Sequence, residues 1–519
     1  QWTPDWAKNR ISGAVKSRPD WCISRQRTWG VPLPAFYTDN GEAILDGGIV
    51  RNTAGLVEKH GSNVWFERSA DELWALVKPA DWKGADAAKK SMDTLDVWID
   101  SGSSSRAVLM RRPELQHCGG QAPADPKNTQ QWRAEIYLEG SDQHRGWFQS
   151  SLLLSLAGNG APPYKTVFTH GFMVDADREK ISKSKQSQTA YEKPQTSEAY
   201  IKKYGADVVR LWVASQDSRA DIVVSEERIN KVSETYRLLR NTLRYQLSNL
   251  YDFDPAKDLI GDAQLTGLDR WILGEFSELE RDVIGAYDRY EFHVAYQRIS
   301  QFAAVELSAI YHDLVKDRLY TEPANSHRRR CTQTALHRMV RALCQMLAPM
   351  VAFTTDEAWD FLPGRAADDS VHASDWKPIE FARPDEEKKL WHDLFTLREQ
   401  ILPELEKARQ AKLIGKSLEA QLKLGVRNGV TTWIVEHLPA LQELLNVSQI
   451  RVQHQPAEGA VEHDVRGFPS FEVARADGQK CERCWHYELE VGQNSEHPTL
   501  CARCITAVNL ISPTTTVPG

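Results

Sequence analysis

The stretch Ile136-Tyr-Leu-Glu139-Gly140-Ser-Asp142-Gln143-His144-Arg145-Gly146-Trp147 decides the fold class. It reads as a short apolar strand running into a loop that crowds five polar or charged side chains between two glycines. Phe148 to Leu156 continues it as a helix. A strand that turns into a helix through a polar loop is the repeating unit of an open α/β sheet, whose active sites lie at the carboxyl ends of the strands.

Working outward, Leu95-Asp-Val-Trp98-Ile-Asp100-Ser-Gly102-Ser-Ser-Ser105 reads as a second buried strand, ending in a glycine/serine turn. Val167 to Val174 reads as strand plus turn, and it leads into Asp175-Ala-Asp-Arg-Glu-Lys180-Ile-Ser-Lys183-Ser184. Two lysines bracketing Ile-Ser place positive charge at two points with hydroxyl donors between them. That pattern suits the phosphates of a triphosphate and the charge developing on a pyrophosphate leaving group. A solvated Lys/Ser loop has the same composition, so the tract alone leaves both readings open.

From Ser225 to about Leu362 the apolar spacing changes to a helical period. Val232, Tyr236, Leu239, Leu243, Leu247 and Leu250 share one face, and Arg237, Arg240 and Arg244 another. Further helices are expected over Leu268 to Tyr287, Phe292 to Leu314 and Thr332 to Leu347, which makes an α-bundle. A second basic cluster runs through His327-Arg-Arg-Arg330 to His337, Arg338 and Arg341. Either cluster is a solvated helix face or an RNA contact. Leu390 to Lys412 reads as a long amphipathic helix, and alternation at Leu422-Lys-Leu424 and Thr431 to Val435 suggests a small α+β unit. The polar segment between about Asp39 and Lys90 has no legible fold.

Eight cysteines fall into two groups. Cys22, Cys118, Cys331 and Cys344 are scattered and read as free, buried thiols. Cys481, Cys484, Cys501 and Cys504 form C-x2-C-x16-C-x2-C, the spacing of a tetrahedral zinc ribbon, with a disulfide pair as the alternative. Nothing in the sequence indicates secretion, which favours reduced thiols and a cytoplasmic protein.

Composition is that of a soluble multidomain protein: 519 residues, 41% hydrophobic and 26% charged. No uncharged apolar run approaches the ~18 residues of a spanning helix, so no membrane is expected. The net charge of −7 excludes a strongly basic nonspecific nucleic-acid binder, and any RNA contact must be local.

Together with Arg18-Pro-Asp-Trp-Cys-Ile-Ser-Arg-Gln-Arg-Thr-Trp-Gly30, these tracts resemble the bacterial-type isoleucyl-tRNA synthetases, of the class I aminoacyl-tRNA synthetase family, over nearly the whole chain. The ending Cys481-Glu-Arg-Cys-Trp-His486 is similar to the isoleucyl members rather than to the valyl or leucyl ones. Two departures stand out. Ile181 replaces the usual methionine, and Lys185-Gln-Ser stands where the family commonly has Leu-Gly-Asn. The family's first ATP signature, His-x-Gly-His, occurs nowhere in the chain, and most of the editing domain is missing. The expectation is therefore the C-terminal portion of a longer enzyme, starting where the editing insertion returns to the catalytic domain and inactive alone.

The resemblance implies a definite organisation. An incomplete Rossmann-like α/β catalytic portion is expected over 1–220, an α-helical anticodon-binding domain over 221–364, a helical and mixed α+β region over 365–470, and a zinc ribbon over 471–519. It implies that the parent attaches isoleucine to its tRNA through an isoleucyl-adenylate, with ATP and Mg2+ as substrate, one structural Zn2+, and a monomeric state. Lys180 and Lys183 take the catalytic positions, with Lys183 most directly on ATP. Glu139, Gly140, Asp142 and Gln143 match the adenylate and ribose contacts, Glu139 facing the α-ammonium. Capping of the following helix by Asp142, His144 and Arg145 is the alternative. Trp98 and Trp147 match the isoleucine pocket and could equally be core aromatics. Arg237, Arg240 and Arg244 would contact tRNA. The competing readings are a valyl or leucyl enzyme, or a non-catalytic tRNA-binding zinc module.

Overall fold

The computed structural model describes residues 1–17, 20–117, 125, 127–175, 196–425, 432–453 and 470–511. The chain divides into two compact units, Gln1–Gln188 with Ser218–Val223, and Thr189–Asp217 with Val224–Gly519.

The first unit is built on a parallel sheet in which Tyr164–His170 lies between Trp2–Thr3 and Ala134–Gly140. The helix Trp147–Asn159 makes the crossover, and Ile11, Tyr137, Phe148, Tyr164 and Val167 fill the core against it. Register pairs Gly140 with His170, so both strands deliver their last residues to the same sheet edge.

One expectation needs correction here. Of the second tract only Leu95 is in a strand, Thr94–Leu95, and Val97–Gly102 is a helix. Asp96 is the cause: its carboxylate accepts from the Trp98 backbone N–H at 3.2 Å and starts the helix, while Trp21 and Arg25 hold the same group. The illegible segment is a small α+β body. Phe36–Tyr37 pairs antiparallel with Ala43–Ile44 and Lys89–Lys90, and Phe36, Ile49, Trp65, Leu73, Trp74 and Val77 pack behind three helices.

The second unit is mainly helical, with long elements at Glu226–Ser248, Gly267–Asp288, His327–Leu347 and Asp385–Gln410. The expected helix over Phe292 to Leu314 is present, with a π-helical stretch at Ala303–Tyr311. Beyond the helices, Ala420–Gly425 pairs parallel with Gln449–Gln453 and antiparallel with Ser470–Arg475. Thr432–Glu436 is a helical turn, not the alternating strand expected, because a five-residue alternation fits one turn of helix equally well.

The cluster His327 to Arg341 is structural. Arg329 forks onto Asp252 at 2.6 and 3.0 Å, Arg328 binds Glu322 and Glu443, Arg338 binds Asp262, and Arg341 lies over the Trp359 ring. Beside it Arg318 is buried, donating to Asp269 at 2.9 Å and to both oxygens of Glu443 at 2.6 Å. Removing one member of such a network leaves uncompensated buried charge. Arg318→Ala is therefore expected to cost about 3–5 kcal/mol of folding stability, measured by denaturant unfolding. An unchanged midpoint would show that the network is solvated.

Candidate active site, RNA face and metal centre

The polar turn stands at the carboxyl end of Ala134–Gly140, as the sequence predicts. Ser141–Arg145 forms a short 3-10 turn leading into the helix Trp147–Asn159. The helix start is held by Gln143, whose Oε1 accepts from the Trp147 backbone N–H at 3.1 Å. Asp142, His144 and Arg145 do not serve as caps. The carboxylates of Glu139 and Asp142 are exposed and form no ion pair among the described residues; Asp142 only accepts from Gln143 Nε2 at 3.4 Å. His144 is instead a core histidine, with Nε2 at 3.2 Å from Thr169 Oγ1, and burial pushes its imidazole down to about 4.

Two glycines let neighbouring tracts close on this turn. A Cβ on Gly140 would lie 2.8 Å from Asp142 Oδ1 and 3.1 Å from the Phe172 ring, and one on Gly146 would lie 2.9 Å from the Trp98 ring. Trp98 thus covers the backbone at the turn while staying 36% exposed. Trp147 stacks on Tyr137 at 4.1 Å and donates its indole N–H to the Ser101 carbonyl at 2.9 Å. The two tryptophans are brought to one place, but Trp147 is largely committed to the core.

On the neighbouring strand, Gly171 donates its backbone N–H to the Ser218 carbonyl, and Met173–Val174 pairs with Ile222–Val223. This pins the chain where the lysine tract begins. Lys180 and Lys183 themselves lie outside the described residues.

Arg237, Arg240 and Arg244 are exposed on one face of Glu226–Ser248. They are not equivalent. Arg240 is chelated by Glu357 at 2.9 and 3.3 Å, whereas Arg237 and Arg244 form no ion pair among the described residues. A cavity of about 720 Å³ beside them is lined by Arg240, Arg244, Leu247, Tyr251, Glu357 and Phe361. Tyr251 and Phe361 are 81% and 71% exposed, and the Arg329 guanidinium lies 5.8 Å from the centre of the Tyr251 ring. The sequence reading missed both, although each aromatic sits just past a helix end where burial is not required.

The four C-terminal cysteines converge. Their sulfurs all lie within 4.8 Å of one another, all four side chains are buried, and no disulfide joins them. Gln479–Lys480 and Tyr487–Glu488 form the hairpin of the first knuckle, and Ala502–Ile511 is the helix of the second. Thiol donation from Cys504 holds Cys484 down to about 4, while burial pushes Cys501 up to about 11. Four soft thiols as the candidate ligand set suit tetrahedral zinc in a closed structural site. Of the other cysteines, Cys331 and Cys344 are buried as expected, but Cys22 is exposed.

Comparison with known proteins agrees along the chain. A family model described as tRNA synthetases class I (I, L, M and V) matches residues 1–225. The anticodon-binding domain of tRNA ligase matches 269–424, and a zinc finger found in FPG and IleRS matches 478–507. Among curated relatives, the isoleucine–tRNA ligase of Geobacter sulfurreducens is 41% identical over 517 residues, covering 98% of this chain and 53% of that one. Those of Syntrophotalea carbinolica and Moorella thermoacetica are 42% and 43% identical, covering 98% of this chain and 52% and 53% of theirs. The chain spans about half the length of the curated relatives it matches. The four-cysteine cluster coincides with the matched zinc finger, and the metal is a structural zinc.

Proposed function

We propose, from the class I tRNA synthetase match over residues 1–225 and the isoleucine–tRNA ligases the chain resembles, that the longer protein containing this chain joins isoleucine to its cognate tRNA through an isoleucyl-adenylate made from ATP. The observation that carries this reading is the pair of exposed carboxylates, Glu139 and Asp142, which form no ion pair among the described residues, at the carboxyl edge of a parallel sheet whose following turn Trp98 covers at Gly146. There Glu139 takes the amino acid's α-ammonium, and Asp142 and Gln143 take the amino acid and ribose. Gly140 lets the ligand approach the backbone. Trp98 supplies an apolar wall, with Trp147 behind it. Lys180 and Lys183 act on the phosphates of ATP, which arrives with Mg2+. We assign catalysis to 1–220, anticodon binding to 221–364, a connecting region to 365–470 and the zinc ribbon to 471–519.

ATP–pyrophosphate exchange with isoleucine, valine and leucine tests the assignment. The longer protein should exchange with isoleucine, and this chain alone should not. Preference for valine or leucine would move the assignment to a sister enzyme.

Glu139→Gln should remove a charge-assisted contact of about 1.5–3 kcal/mol, lowering kcat/KM for isoleucine by about 10- to 100-fold. Wild-type exchange kinetics in that variant would leave Glu139 a surface residue. On the RNA face, Arg244→Ala should weaken tRNA binding and lower the salt slope by about 1, leaving pyrophosphate exchange intact. Arg240→Ala should do less, because Glu357 already neutralises that guanidinium. Equal slopes for both variants and the parent would return these arginines to a solvated face.

A further inference from the structure

The short helix Lys316–Thr321 carries two sets of contacts on adjacent residues. Arg318 points into the helical body. Its guanidinium donates to Asp269, Thr266 and Thr332 on one side and to Glu443 on the other, at 2.6–3.2 Å. Asp317, one residue earlier, accepts from both terminal nitrogens of Arg503 at 2.5 and 2.8 Å. At the other end of the helix, the Thr321 carbonyl accepts from Arg483.

Each of these arginines immediately precedes a metal-ligating cysteine. Arg503 stands before Cys504 in the second knuckle, and Arg483 before Cys484 in the first. Arg483 also reaches across to Cys504 Sγ at 3.9 Å. The two knuckles therefore grip opposite ends of one helix, and closure of the four-sulfur cluster fixes the distance between the two grips.

We infer that zinc occupancy is coupled through this helix to the anticodon-binding bundle. The closed metal site holds Arg483 and Arg503 in register with Thr321 and Asp317, and that registration keeps Arg318 seated between Asp269 and Glu443. The inference rests on the zinc reading of the four cysteines and goes beyond it, since a self-contained structural zinc would order its own ribbon alone. Coupling between sites is reciprocal: if the metal orders the helix, the helix contacts tighten the metal by the same factor.

Hydrogen–deuterium exchange on the full chain, zinc-loaded and after stripping with a high-affinity chelator, reads residues 316–321 directly. Elemental analysis of the same samples counts the metal. Stripping should speed exchange in 316–321 by about tenfold or more, and Asp317→Asn combined with Arg503→Gln should weaken zinc by about tenfold in chelator competition while one ion still binds. Faster exchange confined to 479–511, or a double variant that holds zinc as tightly as the parent, would overturn the coupling. A chain that binds no zinc would overturn the metal reading itself, and the elemental analysis separates that result from the others. If the double variant does not fold, the stripping experiment on the unaltered chain decides alone.

Discussion

Chelation of zinc from Cys481, Cys484, Cys501 and Cys504 should abolish the order of residues 479–511, the largest stability effect expected from any single change to this chain. The reason lies in what would remain. The ribbon's buried cluster consists of the four cysteines, Val491 and the partly buried Leu500, with hairpin strands of two residues each. Two apolar side chains bury too little surface to order the ribbon without its metal. The four-thiolate site does not exist in the unfolded chain, so folding of the ribbon and binding of the metal are one event. The sign of the pH dependence follows. The ligands bind as thiolates, and burial holds Cys501 up near 11, so protons compete with the ion and zinc affinity falls as pH falls. Proteolysis mapping before and after chelation should show new cleavage in the ribbon and around the helix Lys316–Thr321. In the longer protein, Cys484→Ser should impair aminoacylation more than adenylate formation, because the ribbon is remote in sequence from Glu139 and Trp98. Reduced protein that contains no zinc, or that carries a disulfide among these cysteines, would sink the assignment.

The features legible in the sequence are those whose physics is local in the chain. Two C-x2-C pairs announce a knuckle each, because two intervening residues bring both sulfurs to one ion. The helix Glu226–Ser248 is legible because its apolar period repeats over six turns, and the strand-to-helix turn because Gly140 and Gly146 bound it. What was hidden depends on partners distant in sequence. Val97–Gly102 looks like a strand until Asp96 is seen capping it with help from Trp21 and Arg25. The body over residues 36–90 reads as polar because its core is assembled from single aromatics at 36, 65 and 74. The basic run at 327–341 reads as a cationic face, yet its arginines are consumed by Glu322 nearby and by Asp252, Asp262 and Glu443, carboxylates 76 to 115 positions away. Arg240 and Arg244 are alike in sequence and separate only because Glu357 comes from another helix. Likewise, nothing local marks Trp147 as stacked on Tyr137 while Trp98 stays half exposed.

Lys183→Ala in the longer protein should depress adenylate formation by about 10²–10³-fold, the usual cost of removing one preorganised electrostatic donor from a transition state. Activation of an amino acid makes a mixed anhydride with the α-phosphate and expels pyrophosphate, and no covalent nucleophile from the protein is needed. The catalytic work is alignment and stabilisation of charge accumulating on the leaving phosphates. An ammonium placed there acts most strongly where charge is greatest, so its loss should lower kcat and kcat/KM together and leave isoleucine binding nearly unchanged. Lys180→Ala should follow the same pattern with a smaller loss, since the family resemblance ties Lys183 more directly to ATP. The chain just before the tract is held: Gly171 donates its backbone N–H to the Ser218 carbonyl, and Met173–Val174 is paired with Ile222–Val223. Replacing Val223 by proline at that pairing should therefore lower the rate with both lysines intact. Pyrophosphate exchange gives the rate and equilibrium dialysis with labelled isoleucine gives the affinity. A Lys183→Ala protein that loses isoleucine affinity in proportion to its rate would place this lysine in the amino-acid site and remove it from the phosphates.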